Sequence, residues 1–263
     1  RLMDLSSETA RWQKYNAKRD SFAPCLPSRE AVDALLAFGQ WDLPPLLGIS
    51  ECPVLMPDGS ILDQRGYHAD SGLLYEPIRD FPQVPARPTR DDAIAALSVL
   101  EEPLADFAFA HPHHRSAMLA AILSVAATYT YIGGSVPLFA FSAPTPGSGK
   151  SLLTQVASII GTGREAAYMA QSVKEEEESK RLFAVLLSGD PVVVLDNCDR
   201  PVGSGPLAEV LTAGQHKDRI LGVSAMAIAE DRCVFMATGN NLEYAGDLTR
   251  RVVPIDIDPQ TED

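Results

Sequence analysis

At 263 residues, with 46% apolar and 22% charged side chains, the chain has the composition of a folded globular protein, long enough for one large domain or a domain with a smaller partner. Its net charge of −13 is spread evenly along the sequence, which excludes a protein that grips nucleic acid over its whole surface but leaves room for a local basic arm or pore. No apolar run reaches the roughly 18 residues of a membrane span, no secretory signal is present, and Cys25, Cys52, Cys198 and Cys233 form no Cys-x-x-Cys pair; the expectation is a reducing cytoplasm, with neither a zinc site nor a disulfide framework. Because the first residue is Arg1 rather than Met, the sequence reads as a piece of a longer protein.

Residues 4–20 read as a helix in which Arg11, Lys14 and Lys18 share a face, with Trp12 and Tyr15 nearby. Such a face either touches a nucleic acid backbone or is an ordinary solvated surface. Pro24 and Pro27 break the chain, and Ser28 caps a second helix, Arg29 to Gly39, whose apolar side is Val32, Leu35, Leu36 and Phe38. From 42 to 82 the chain is rich in Pro and Gly. Val54 to Met56 and Ser60 to Asp63, joined by Pro57-Asp58-Gly59, read as a hairpin, and Gly72 to Tyr75 as a third strand. Pro82, Pro85 and Pro88 make a stiff linker, so the expected division is an N-terminal helical and hairpin module over 1–88 and a core with leading helices over 89–263.

Thr89 caps a helix that carries Asp91 and Asp92 in its first turn and runs to about Glu101. His111-Pro112-His113-His114 lacks a carboxylate or cysteine at ligand spacing and reads as a helix start rather than a metal site. Ser116 to Tyr131 is a buried helix, and Gly133-Gly134 turns the chain into an apolar strand, Val136 to Phe141.

Pro144-Thr-Pro-Gly-Ser-Gly-Lys-Ser151 then lies between that strand and a helix, Leu152 to Ile160. Strand, glycine-rich turn, Lys-Ser and helix are the parts of a phosphate-binding loop. Gly147 and Gly149 let several backbone N–H groups converge on one anion, and the start of the helix adds its own free N–H groups and positive dipole end. Pro146, Gly147, Ser148, Gly149, Lys150, Ser151 and Leu152 are the expected cradle. Lys150 would reach the β- and γ-phosphates of a bound nucleotide as a point charge, and Ser151 would hold Mg²⁺. Pro144 stands where the usual pattern has its first glycine.

Downstream, Ala166 to Met169 reads as a short strand and Lys174 to Ser188 as a helix opened by four glutamates, Glu175 to Glu178. Pro191 to Asp196 is a buried parallel strand delivering an acid to its C-terminal edge, where ligands of such sheets sit, so Asp196 is expected to associate with Mg²⁺. Arg232 to Asn241 is another strand, ending in Asn240 and Asn241, and Asp247-Leu248-Thr249-Arg250-Arg251 precedes a last one, Val252 to Ile257. Asn240 could orient a water or meet the γ-phosphate, and one of Arg250 and Arg251 could be offered to a neighbour's nucleotide.

This order, Gly-Ser-Gly-Lys-Ser, a strand ending in Asp196-Asn197, Ala-Thr-Gly-Asn-Asn, then Arg250-Arg251, resembles a AAA+ P-loop ATPase core with its Walker A, Walker B, sensor 1 and arginine-finger positions. It is most similar to superfamily 3 helicases and the ATPase domains of phage- and plasmid-type primase-helicases. The resemblance implies a parallel sheet in the order 5-1-4-3-2 flanked by helices. It implies a pre-sensor-1 hairpin formed by Arg219 to Val223 and Ala225 to Ala229, joined near Ser224. It also implies ATP and Mg²⁺ as cofactors, single-stranded DNA as partner, and a homo-oligomeric, commonly hexameric, ring. The function so implied is an ATP-hydrolysing motor, a DNA helicase or replication-initiation ATPase of a mobile element. Alternatives are a AAA+ loader or remodelling switch acting on a protein partner, or a slow nucleotide-binding ring component. Two departures stand out. Asn197 occupies the place of the acid that usually follows the Walker B Asp, leaving Asp199 as a nearby substitute base, and a C-terminal lid with a sensor 2 arginine would lie past Asp263.

Overall fold

The computed structural model describes residues 8, 10–38, 43–85, 87–130, 136–219, 226–230 and 232–259. The chain divides into two compact units, Arg1–Pro45 and Leu46–Asp263.

The first unit holds two short antiparallel strands, β1 (Gln13–Asn16) and β2 (Ser21–Pro24), and a helix, α1 (Arg29–Phe38). The hairpin corrects the expected helix over its part from 13 to 20; Glu8 is helical, and 4–7 and 9 lie outside the residues described. Asn16 accepts the Lys18 backbone N–H on its side chain at 3.0 Å, and Asp20 takes a left-handed φ of 48°. That turn chemistry overrides the i, i+3, i+7 spacing of the basic residues. In α1, Val32 is buried while Leu35 and Phe38 are exposed. Ser28 caps this helix, its hydroxyl accepting the Ala31 N–H at 3.2 Å.

The second unit opens with small sheets: β3 (Gly48–Ser50), β4 (Val54–Leu55), β5 (Ile61–Leu62), β6 (Gly66–His68) and β7 (Leu73–Tyr75). β4 and β5 form the hairpin expected around Asp58-Gly59; β7 lies between β3 and β6. This segment is tied to the remainder of its unit by Cys52, whose thiol donates to the Gly161 carbonyl at 3.3 Å, and by the Arg164–Glu51 ion pair at 3.1 Å. Next come α2 (Arg90–Glu101), capped by a reciprocal Thr89–Asp92 pair, and α3 (Pro112–Ala126). The expected Gly133-Gly134 turn lies outside the described residues.

The remaining elements build the body of the unit. They are β8 (Leu138–Ala143), α4 (Lys150–Thr162), β9 (Ala167–Ala170), α5 (Glu175–Ser188), β10 (Val192–Cys198) and α6 (Gly205–Ala213). β11 (Gln215–Arg219), β12 (Met226–Glu230), β13 (Val234–Asn240) and β14 (Val252–Asp256) complete them. Five strands form one all-parallel sheet in the order β14-β8-β13-β10-β9. Numbered within that sheet in chain order this is 5-1-4-3-2, the order implied by the resemblance. Side chains alternate between its faces. Phe139, Phe141 and Val194 pack under α3 and α4, whereas Val193, Leu195 and Phe235 pack under α5 and α6. Both faces are covered, so the strands read as apolar runs rather than alternating ones. Each fully buried Phe contributes about 1.5–3 kcal/mol relative to exposure. β11 and β12 form an antiparallel hairpin whose first strand starts at Gln215, earlier than expected; its connection, 220–225, lies outside the described residues. Among the described residues no helix is long and apolar enough to cross a membrane.

Candidate functional site

The sheet topology brings four of the expected residues to one edge. β8 ends at Ala143, where Asn240 of β13 is its register partner, and β10 ends on the other side of β13. The Pro144–Gly149 turn leaves β8, and α4 starts immediately at Lys150. Gly147 and Gly149 have φ of 77° and 86°, a left-handed backbone that side chains rarely adopt. At Gly149 there is a second constraint, since a Cβ would sit 2.8 Å from the ring of Phe107. That aromatic, half-buried ahead of α3, was missed in the sequence because it lies some forty residues from the loop.

The Lys150 ammonium donates to the Thr145 carbonyl, the Ser148 hydroxyl and the Asn240 side-chain oxygen, each at 2.9 Å. All three acceptors are neutral oxygens. Burial lowers the Lys150 pKa from its ordinary value. Ser151 donates to Asp196 Oδ1 at 3.2 Å. Thr238 donates to the same Oδ1 at 2.6 Å, and its oxygen accepts the Asn197 backbone N–H at 2.9 Å. Asp196 Oδ2 has no hydrogen bond among the described residues. Thr238 is 2% exposed and fixes both the acid and the kink after it. The parallel register shifts between Leu195 and Cys198, and Asn197 has a left-handed φ of 51° with its side chain exposed. Gly239 permits this, because a Cβ there would meet Leu242 and, at 2.7 Å, the Cys198 carbonyl. Neither Thr238 nor Gly239 was singled out from the sequence. Their roles depend on contacts across about forty residues, and the one available signal was their position in the strand that ends at Asn240.

Whether a phosphate and a hard cation suit these residues can be read from the donors present. A half-buried ammonium compensated only by neutral oxygens favours an anion. A serine hydroxyl beside a carboxylate with one open oxygen offers the hard oxygen ligands that Mg²⁺ takes. The fit is good. Pro146 and Leu152 line the same turn, both exposed. Elsewhere the glutamate run is committed. Glu175 accepts the Gly205 N–H at 3.4 Å, and Glu176 and Glu177 pair with Lys180 and Arg181. Glu178 is buried near Ser204, and burial raises its pKa. Asp199 is exposed and pairs with Arg200 at 3.3 Å. Burial, then the carboxylates of Asp196 and Asp199, push the Cys198 thiol pKa up to about 12, which disfavours the thiolate.

Arg250 and Arg251 are not brought to this edge. The Arg251 carbonyl accepts the N–H of Leu138, the first residue of β8, which places both arginines at the opposite, N-terminal edge. Among the described residues no group of three or more His, Cys, Asp or Glu has metal-holding geometry, His111, His113 and His114 included.

No protein-family model matches the chain, and no curated protein matches it. Among solved structures it is similar to the A form apo structure of the NrS-1 C-terminal region, at 13% identity and a TM-score of 0.41. The match covers 99% of this chain, which spans 60% of that one.

Proposed function

We propose that the chain is an ATP-hydrolysing motor domain acting on single-stranded DNA, of the helicase or replication-initiation kind, that works as a ring of copies. The observation that carries the nucleotide part is the convergence of Lys150, Ser151, Asp196 and Asn240 across three strand ends of one parallel sheet. In this reading Gly147 to Ser151 would hold the phosphates, and Lys150 would move its ammonium from the Thr145 and Ser148 oxygens to phosphate oxygen. Ser151 and Asp196 would hold Mg²⁺, whose chemistry is to draw charge from the β–γ bridge as it breaks. Asn240 would position the attacking water, and Arg250 or Arg251 would serve a neighbouring copy's site. The pairing of β11 with β12 supports a hairpin of the kind that lines the pore of such rings.

One feature favours a slower relative of this activity, a AAA+ loader or switch. Asn197 cannot accept a proton, and Asp199 is turned to Arg200. Turnover would then rest on positioning and electrostatics alone. ATP turnover with Mg²⁺, measured with and without single-stranded DNA, separates the two. Stimulation by DNA is expected, and an unchanged rate and affinity at saturating DNA would sink the motor. Lys150→Ala should reduce ATP binding at least about 100-fold, since it deletes the one cation in the cradle; full binding by that variant would show that the loop does not hold phosphate.

A further inference from the structure

The N-terminal hairpin carries chemistry that the nucleotide site does not use. Between Arg11 and Pro24 lie four cations, Arg11, Lys14, Lys18 and Arg19, and one carboxylate, Asp20, in a chain of net charge −13. All four cations are exposed, and none is in an ion pair among the described residues. Asp20 is engaged, accepting the Tyr15 hydroxyl at 2.6 Å. That bond and the β1–β2 register set Tyr15 directly opposite Phe22, ring centroids 5.3 Å apart. Both rings remain open to solvent, at 50% and 66% exposure. Every residue of both strands is exposed, so the ribbon packs neither face onto a core. An isolated two-stranded ribbon gains little stability of its own, and two large aromatic faces held in water beside unpaired cations are costly unless they meet a partner.

We propose that this ribbon is a contact site for single-stranded nucleic acid, separate from the ATPase edge, with Tyr15 and Phe22 stacking on bases and Lys14, Lys18 and Arg19 following the phosphates. Charge complementarity selects a polyanion. The exposed ring faces select unpaired bases, because a duplex keeps its base faces stacked. Two stacking platforms about 5 Å apart fit neighbouring nucleotides, and Lys18 and Arg19, in the turn, lie at the end of the pair. The choice of nucleic acid agrees with the proposed motor, but the site would bind without nucleotide, so the two readings fail independently.

The test is binding of the full chain, without ATP, to a labelled oligothymidine of about 30 nucleotides and to a duplex of equal length, across a salt series. Tyr15→Leu with Phe22→Leu should weaken single-strand binding about tenfold or more while leaving duplex binding alone. Lys14→Glu, Lys18→Glu and Arg19→Glu together should weaken it further and flatten the salt slope by about 2, close to 0.7 for each phosphate no longer neutralised. All of these positions are exposed, so thermal unfolding should be unchanged. Equal single-strand binding by wild type and both variants would overturn the proposal. So would a change in solution mass caused by the charge reversals without loss of DNA binding, which would make the ribbon a contact with the acidic surface of a second copy.

Discussion

At the C-terminal edge of the five-stranded sheet, Lys150 bonds Asn240 and Ser151 bonds Asp196, two pairs that bring three strand ends together. At the N-terminal edge, Arg250 and Arg251 share one carboxylate, Asp247, at 2.9 and 3.8 Å, and meet none of them. The first edge gathers an ammonium, a hydroxyl, a carboxylate and an amide, and Arg200 just after β10 is held by Asp199 at 3.3 Å. The second presents Arg250 and Arg251, away from the glycine-rich turn. In the proposed reading, one chain places its phosphate cradle and its outward arginine on opposite edges, where they cannot meet within a copy; a head-to-tail neighbour would join them, the arrangement that generates rings. The edges are linked inside the chain as well. The loop after β10 and the loop after β13 are zipped by Val202 donating to the Glu243 carbonyl at 2.8 Å and Ala245 donating to that of Val202 at 2.9 Å. A change at Asp196 therefore has a short path to the turn that carries the arginines.

The largest effect should come from breaking that division of labour. The two arginines differ: Arg251 is mostly buried and reaches Thr212 of α6 at 2.5 Å, whereas Arg250 is 67% exposed. Arg250 is the better placed to reach outward. Arg250→Ala should cut ATP turnover about 1,000-fold, as loss of an arginine finger does, with little change in stability. Mixed with Asp196→Ala protein it should regain activity, because a mixed interface pairs an intact cradle with an intact arginine. Arg251→Ala should instead lower stability, by about 1 kcal/mol for the hydrogen bond it removes. Activity of Arg250→Ala alone, or no recovery at any mixing ratio, would break the comparison of the edges.

A smaller effect sharpens the C-terminal edge alone. Thr238→Val keeps the shape of the side chain but removes the hydroxyl that orients Asp196 and satisfies the Asn197 N–H. A half-buried donor left unpaired costs on the order of 1 kcal/mol, so the variant should unfold earlier in urea, and Mg²⁺-dependent nucleotide affinity should fall about tenfold. Thr238→Ser should restore both. Unchanged Mg²⁺ dependence in the valine variant would show that Asp196 needs no help from β13.

These two edges were not equally legible in the sequence. The loop from Pro144 to Ser151 and the acid at Asp196 announce themselves because each is a local run: strand, turn and helix in one case, four apolar residues and a carboxylate in the other. The sheet order followed from arranging those runs by resemblance. Thr238, Gly239 and Phe107 were missed since their work is done on residues about forty positions away, and nothing in their own neighbourhood marks it. The kink at Asn197 is of the same kind, a bulge that exists only relative to β13. In the N-terminal unit the failure was local. Three basic residues at helical spacing outweighed Asn16 and Asp20, whose side chains and left-handed backbone close a turn instead. The second edge was read correctly only as an Arg pair before a strand; that Arg251 is a strut to α6 depends on Thr212, far away in sequence.

The last difference between the edges is electrostatic. Arg250 and Arg251 each have a carboxylate beside them, whereas Lys150 has neutral oxygens only, and its folded-state pKa lies below the unfolded value. The folded protein without nucleotide therefore binds the Lys150 proton less tightly than the unfolded chain does. By linkage, stability then rises with pH through the window between the lowered pKa and the ordinary lysine value, where the unfolded state still holds the proton that the folded state has released. Below that window Lys150 is charged in both states and its desolvation counts in full against the fold. Other groups titrate in the same alkaline range, so the comparison is with Lys150→Met under identical conditions. Thermal unfolding of both proteins at neutral and alkaline pH should show wild type gaining on the variant as pH rises. A gap that stays constant, or moves the other way, would mean that the ammonium is already well compensated and that nucleotide binding gains nothing from relieving it.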